Sequence, residues 1–428
     1  MTMLALLFST CCLVPQEPSP QLTHGPLRGP NGATALSLWA RADAPGEYRL
    51  HLRSLTDGAV SEWPAVAGKD GDLTLAWQAT GLSVGAAYDW WITAGERTVH
   101  TAGGVPLTTA MPDQVGSATI AFGSCSSDTG FPEQGIWGQI LARSPQALVL
   151  LGDTPYIDNG TVAGRRQRFR AFYAFPPVRA AMQSIPTWAT WDDHDYALND
   201  TFGATKGSET ARQVFCEYHA HPRYGDGQQG IYTSFRRGPI EVFVLDARTF
   251  ADRESSPLAA GERSLLGAAQ IAWLQEGLLA STAPFKVLAC GMIWNEAVRA
   301  GKADSWGNWL PERNGLLRWL GERSIGGVVL VGGDVHRTRV ILHPSAALAG
   351  YDVPELITSP LAQNVIATNK VDVAGLEFDA GEPMTCLFLS AMGLGEDAVL
   401  LACFQAADGR EFHTRRFPLA ALRKSGGR

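Results

Sequence analysis

The chain has 428 residues, more than one hydrophobic core usually serves, so two domains are expected. Hydrophobic residues make up 45% of it, the proportion of an ordinary globular chain rather than a fibrous or disordered one. The net charge is −7 and no basic run is longer than a pair such as Arg165-Arg166, which excludes a duplex nucleic-acid binder with its basic footprint.

Met3 to Val14 are nearly all apolar or small, and Gln16-Glu17-Pro18-Ser19-Pro20 breaks the run. The run is too short to span a bilayer, so no membrane span is expected. It fits the apolar region of a secretory signal, although a positively charged start is missing. Residues 1–20 are therefore read as a signal segment, and the protein as secreted, periplasmic or at the cell surface. Cys11-Cys12 raises a lipid anchor, but Phe8-Ser9-Thr10 lacks the usual small residue beside the cysteine. Beyond this segment five of the seven cysteines remain, and an odd number in an exported chain leaves at least one thiol unpaired or used as a ligand. Cys290 and Cys403 lie in apolar runs and read as core residues.

Residues 22–110 alternate with a period of two in Ala35–Arg41, Glu47–Arg53 and Leu73–Trp77, with glycine-rich turns between. That pattern predicts a small β-sandwich domain. Gly81 to Tyr88 looks like a tyrosine corner, in which the phenol bonds back to an earlier backbone group. A linker follows at Thr108–Asp113. From residue 117 to 415 apolar strands alternate with helical patterns over 134–143, 268–279 and 313–323, which predicts a layered α/β domain.

Within that second domain four apolar runs end in chemistry. Thr119–Ser124 leads to Cys125; Ala147–Gly152 leads to Asp153, with Tyr156 three residues on. Thr187–Trp191 leads to Asp192-Asp193-His194-Asp195, and Gly327–Gly333 leads to Asp334-Val335-His336. Such runs read as strands buried on both faces, and ligands in open sheets bind outside their carboxyl ends. Alone, Asp153 also reads as a turn or cap residue, Tyr156 as packing and Cys125 as a buried thiol. Asp192 to Asp195 have no core role, and like charges so close repel unless a cation compensates. Alternate residues of an extended backbone face together, so Asp334 and His336 are expected to chelate from one side. Together these groups can hold two cations sharing one carboxylate. Two metals about 3.5–4 Å apart clamp a displacement at phosphorus and acidify the hydroxide that attacks it.

Gly123-Ser124-Cys125, Gly152-Asp153-x-x-Tyr156, Trp191-Asp192-Asp193-His194-Asp195 and Gly333-Asp334-x-His336 occur in the order and spacing of the PhoD-like alkaline phosphatases, and over residues 22 to about 410 the chain resembles that family. These enzymes belong to the calcineurin-like metallophosphoesterase superfamily. The resemblance implies a four-layer α/β sandwich with two central β-sheets, preceded by an N-terminal fibronectin- or Ig-like β-sandwich. It implies that Cys125, Asp153, Tyr156 and His336 ligate Fe(III), and that Asp153 bridges to a second metal, Ca²⁺, held also by Asp193 and Asp334. Other divalent metals are left open. His194 would then be the general acid, with Asp192 or Asp195 orienting it, and Arg248 in Leu245-Asp246-Ala247-Arg248-Thr249 either binds a phosphate oxygen or pairs with Asp246.

Four smaller readings complete the set. Pro155 stands where the family more often has an aliphatic residue. Asp158 reads as a further ligand or a cap. Arg165, Arg166, Arg168 and Arg170 read as a solvated helix face, and Trp294, Trp306 and Trp309 as the tryptophans best placed to line a pocket. The expected function is a metal-dependent phosphoric ester hydrolase acting on a phosphate ester substrate. The alternatives are a phosphodiesterase or phospholipase-D-like hydrolase with the same site, and a non-catalytic secreted binding protein. Oligomeric state is not readable from the sequence.

Overall fold

The computed structural model describes residues 20–296, 298 and 301–424. Residues 1–19 of the expected signal segment, Cys11-Cys12 among them, lie outside the described residues.

Eight strands come first: β1 (Leu22–Gly32), β2 (Ala35–Ala42), β3 (Gly46–Ser54), β4 (Val60–Ala67), β5 (Thr74–Thr80), β6 (Ala87–Ala94), β7 (Arg97–Thr101) and β8 (Leu107–Thr108). They form one sheet in the order β1-β2-β5 and a second in the order β4-β3-β6-β7, with β8 also on β6. Alternation places Tyr48, Leu50 and Leu52 of β3 in a shared core with Leu36, Leu38, Trp77 and Ile92. The Ser83 N–H donates to the Tyr88 hydroxyl at 2.9 Å, the back-bond expected of the corner.

The remainder is α/β. In chain order it runs β9 (Ser117–Gly123), α1 (Gly135–Arg143), β10 (Ala147–Leu150), α2 (Val162–Ala174), α3 (Pro176–Ser184), β11 (Thr187–Ala189), α4 (Asp193–Tyr196) and α5 (Ala211–Tyr218). Next come β12 (Thr233–Arg237), β13 (Ile240–Val244), α6 (Gly267–Ala280), β14 (Phe285–Ala289), α7 (Leu310–Glu322), β15 (Val328–Gly332), β16 (Thr338–Leu342), α8 (Ala346–Ala349) and β17 (Pro354–Ile357). The chain closes with β18 (Leu376–Ala380), β19 (Thr385–Met392), β20 (Val399–Ala406) and β21 (Glu411–Pro418).

Two sheets carry this part, ordered β11-β10-β9-β19-β20-β21 and β12-β13-β14-β15-β17-β16-β18. Ile120, Phe122, Val149 and Leu389 of the first share a core with Val242, Val287, Val329 and Val331 of the second. Ala121, Leu148 and Phe388, on the other face of the first, pack on Ile136, Ile140, Phe172 and Val178 of α1 to α3. Leu274 of α6 and Leu317 and Leu320 of α7 belong to the core of the second sheet. Burial on both faces explains why β10 and β15 read as unbroken apolar runs.

The strands β9, β10 and β11 are parallel with aligned ends, as are β13, β14 and β15. The Thr190 hydroxyl donates to the Leu245 carbonyl and the Ser124 hydroxyl to that of Thr358, so the carboxyl rims of the two sheets adjoin. The N-terminal sheets brace the helices behind this rim: the Trp39 indole donates to the Glu217 carbonyl and packs against Tyr173 and Tyr218.

Several expectations are corrected here. The four arginines of α2 do not form a solvated face: Arg165 is buried, Arg166 pairs with Glu217, Arg168 with Asp128 and Arg170 with Asp72. Trp294 and Trp306 stack 4.2 Å apart and Trp309 donates to Asp252; all three are buried as core. The five described cysteines are free thiols, and no described helix is long and apolar enough to cross a membrane.

Candidate metal centre

The residues expected at the strand ends arrive there on a strained backbone. Cys125, Asp153, Asp158, Asp334 and His336 all adopt positive φ, between 48° and 65°. This left-handed region costs a non-glycine residue of order 1–3 kcal/mol and is held where function requires it. The strain also corrects the expected chelation geometry. Asp334 and His336 are not extended neighbours facing one way, and they join different clusters. Glycine permits the close packing: a Cβ on Gly152 would lie 2.2 Å from the Asp192 nitrogen, and one on Gly291 would lie 2.5 Å from the Asp192 carboxyl carbon.

One cluster brings Cys125, Asp153 and His336 together with donor atoms within 4.8 Å of one another. The Tyr156 hydroxyl joins it, 2.8 Å from His336 Nε2. His336 Nδ1 lies 2.7 Å from the Asn364 carbonyl, which can only accept, so Nδ1 carries the proton and Nε2 keeps its lone pair. A carbonyl behind the imidazole is the usual partner of a metal-binding histidine. The other clusters are Asp153 with Asp193 and His194, Asp192 with Asp193 and Asp334, and Asp193 with Asp200 and Asp304. Asp153 and Asp193 thus link neighbouring clusters.

The electrostatics resist charging this cage without a cation. Burial, then the charge of Asp153, pushes the Cys125 thiol well up. Burial and the neighbouring Asp193 and Asp192 push Asp153 well up, and burial does the same to Tyr156. Asp195 is pushed up to about 7 and Asp334 to about 6, in each case first by burial. Asp193 goes the other way: burial opposes its charge, but Arg248, His194 and Lys302 outweigh it. Asp192 Oδ2 is buried with no hydrogen-bond partner among the described residues. A thiol, a phenol, an imidazole with a free lone pair and an orphaned carboxylate oxygen fit metal ions.

His194 is oriented by a residue read differently in the sequence. Its Nδ1 lies 2.6 Å from Asp158 Oδ1, so Asp158 takes the place expected of Asp192 or Asp195. Burial opposes the imidazolium, but Asp158 and Asp193 more than offset that and raise its pKa. Asp195 instead accepts from the Asp192 N–H, closing a capping box around α4.

Asp192 is committed to Arg248, whose Nε and Nη2 both reach Asp192 Oδ1. The Arg248 guanidinium also donates to Asp304 at 2.8 Å and is fully buried. Its guanidinium therefore does not pair with Asp246, which the Arg248 N–H alone bonds. Sequence reasoning missed Lys302 and Asp304, which sit between Arg248 and Asp334. It also missed Arg165, which donates to the carbonyls of Asp195 and Tyr196, and Arg168, which donates to that of Tyr156. The run of arginines was visible in the sequence, but its inward direction was not.

Comparison with known proteins gives the family and the fold. The family model of PhoD-like phosphatases matches residues 120–382. Alkaline phosphatase D of Bacillus subtilis (strain 168) is 28% identical over 210 residues, 41% of this chain and 35% of that protein. The chain thus spans about a third of the length of that curated relative. A solved structure of PhoD superposes with a TM-score of 0.74 at 17% identity, covering 92% of this chain and 88% of that one. A purple acid phosphatase, PPD1, from yellow lupin seeds gives 0.67 at 10% identity, covering 93% and 73%. At such identities the two structures show a common fold.

Proposed function

The chain belongs to the PhoD-like phosphatase family, and from that premise we propose that it is a metal-dependent phosphoric ester hydrolase of phosphomonoesterase type. The observation that carries this reading is the convergence of Cys125, Asp153, Tyr156 and His336 beside the carboxylates of Asp192, Asp193 and Asp334. We read the two large sheets with their flanking helices as the four-layer metallophosphoesterase sandwich over 117–415. The sheets of 22–110 are read as a fibronectin- or Ig-like domain in front of it, and residues 1–20 as an export signal.

In this reading Cys125, Asp153, Tyr156 and His336 would hold Fe(III), whose charge offsets the thiolate and phenolate. Asp153, Asp193 and Asp334 would hold Ca²⁺, which favours oxygen donors. The metals, when bound, supply the Lewis acidity that activates water and neutralises phosphoryl oxygens. Asp158 keeps the proton of His194 on Nδ1, so Nε2 is the atom that carries a second proton to the leaving oxygen. The raised pKa of His194 keeps that proton in place to higher pH. Arg248 acts beside the ligands and not on the phosphate: it fixes Asp192 and balances its charge.

The test is a pair of initial rates, on an aryl phosphate monoester and on its matching diester, with iron- and calcium-loaded protein. Preference for the monoester is expected, and Asp153→Asn should lose metal content and rate together. Preference for the diester would move the assignment to a phosphodiesterase. Turnover of neither, with both metals bound, would overturn hydrolysis.

A further inference from the structure

Lys302 is buried to 5% side-chain exposure in the midst of carboxylates. Its Nζ lies 2.8 Å from Asp304 Oδ1, 2.9 Å from Asp334 Oδ2 and 3.2 Å from Asp200 Oδ1. The opposite oxygen of Asp304 takes Arg248, which in turn holds Asp192. The charges therefore alternate along one line: Asp192, Arg248, Asp304, Lys302, Asp334. The two cations differ in kind. Arg248 is fixed by forked bonds and has no exposed surface, whereas Lys302 is a point charge on a flexible four-carbon stem. Its backbone is anchored independently, since its carbonyl accepts from Asn308 Nδ2 at 3.1 Å.

Lys302 thus touches one carboxylate of the Asp192, Asp193, Asp334 cluster and two of its neighbours, Asp200 and Asp304. Asp200 is itself tied to that cluster, its N–H donating to Asp193 Oδ2 at 2.6 Å. We propose that Lys302 is a positioning residue for the second metal: its ammonium holds Asp334 and Asp304 in place and competes with a divalent cation for Asp334, so it sets that cation's affinity. The inference rests on the reading of Asp334 as a ligand given above. Ligand charge tunes calcium affinity over several decades. A resident positive charge beside a ligand weakens binding, and makes it reversible at a site that must also admit a dianionic ester.

The experiment titrates calcium chloride into the full-length, iron-loaded protein stripped of calcium, by calorimetry, and repeats thermal unfolding with and without calcium. Lys302→Gln should bind calcium roughly tenfold or more tightly than the wild type, because a unit charge within contact distance is removed. It should also show the larger calcium-induced rise in Tm. Lys302→Arg, which keeps the charge, should stay near the wild type. Unchanged or weaker calcium binding in Lys302→Gln, with binding lost in Asp334→Asn, overturns the role of Lys302 and leaves the metal site standing. Binding indifferent to Asp334→Asn overturns both. A wild-type measurement serves if Lys302→Gln does not fold: saturating calcium should raise acylation of Lys302 by acetic anhydride, read by peptide mass spectrometry. Unchanged labelling would overturn the competition.

Discussion

Arg165→Met tests how the rim is held together. Arg165 is 1% exposed and makes no ion pair with a carboxylate among the described residues. Its Nη1 donates to the Asp195 carbonyl at 2.7 Å, its Nη2 to those of Tyr196 at 2.6 Å and Gly207 at 2.7 Å, and its Nε to the Thr210 hydroxyl at 3.0 Å. Two of these carbonyls end α4, where a cation is favoured and the last carbonyls lack partners within the helix. Methionine fills much of the volume but leaves the Asp195 and Tyr196 carbonyls without this donor, and the Gly207 carbonyl with only the Thr210 hydroxyl at 3.4 Å. A buried carbonyl left without its donor costs about 1–3 kcal/mol, so the two at the end of α4 together cost about 2–6 kcal/mol. At roughly 2–4 °C per kcal/mol for a large domain, Tm should fall by about 4 °C or more. Differential scanning calorimetry reads this directly. Lysine, with three donors on a single atom, should recover only part of it. A fall of less than 2 °C would show that water or a neighbouring side chain satisfies these carbonyls, and that Arg165 does not secure α4.

Two further outcomes are expected. Asp158→Asn should lower kcat on alkyl phosphates, whose leaving oxygens need a proton, on the order of tenfold while sparing nitrophenyl phosphate, and move the alkaline limb of the rate profile down. An unmoved limb would remove Asp158 from His194. Acid should destabilise the fold through His219, which burial lowers to about 4. Its folded pKa lies below the unfolded value near 6.5, so its contribution is full above pH 6.5 and is lost as pH falls toward 4. That amounts to about 2–3 kcal/mol between pH 6.5 and 4.5 by denaturant unfolding, and His219→Gln should lose correspondingly less. Equal losses in both proteins would exclude His219 as the cause.

The strands that deliver the site were legible because parallel strands buried on both faces leave continuous apolar runs, and because the polar residues just beyond them have no role in a core. Cys125, Asp153, Asp193, Asp334 and His336 were found by that pattern and lie in neighbouring clusters linked by Asp153 and Asp193. The cations were not legible. Arg248 follows β13 of the second sheet and Asp192 follows β11 of the first, 56 residues apart, and only the closure of the two rims pairs them. Arg165 to Arg170 read as a surface stripe because a helical pattern does not say what lies above it; α5 and the N-terminal sheets lie there, through Glu217 and Asp72.

By itself the sequence determined which residues end each strand, and so which donors reach the rim, since strand register is a local property of apolar alternation and glycine punctuation. The tertiary structure decided which oxygen faces which cation. The left-handed turns at Asp334 and His336 send two near neighbours into different clusters, and a loop through Lys302 and Asp304 brings compensating charge that no local spacing encodes. Burial is the reason: at the rim of two sheets an unpaired carboxylate is too costly to leave, so the pairing is settled by whatever the whole fold brings within reach.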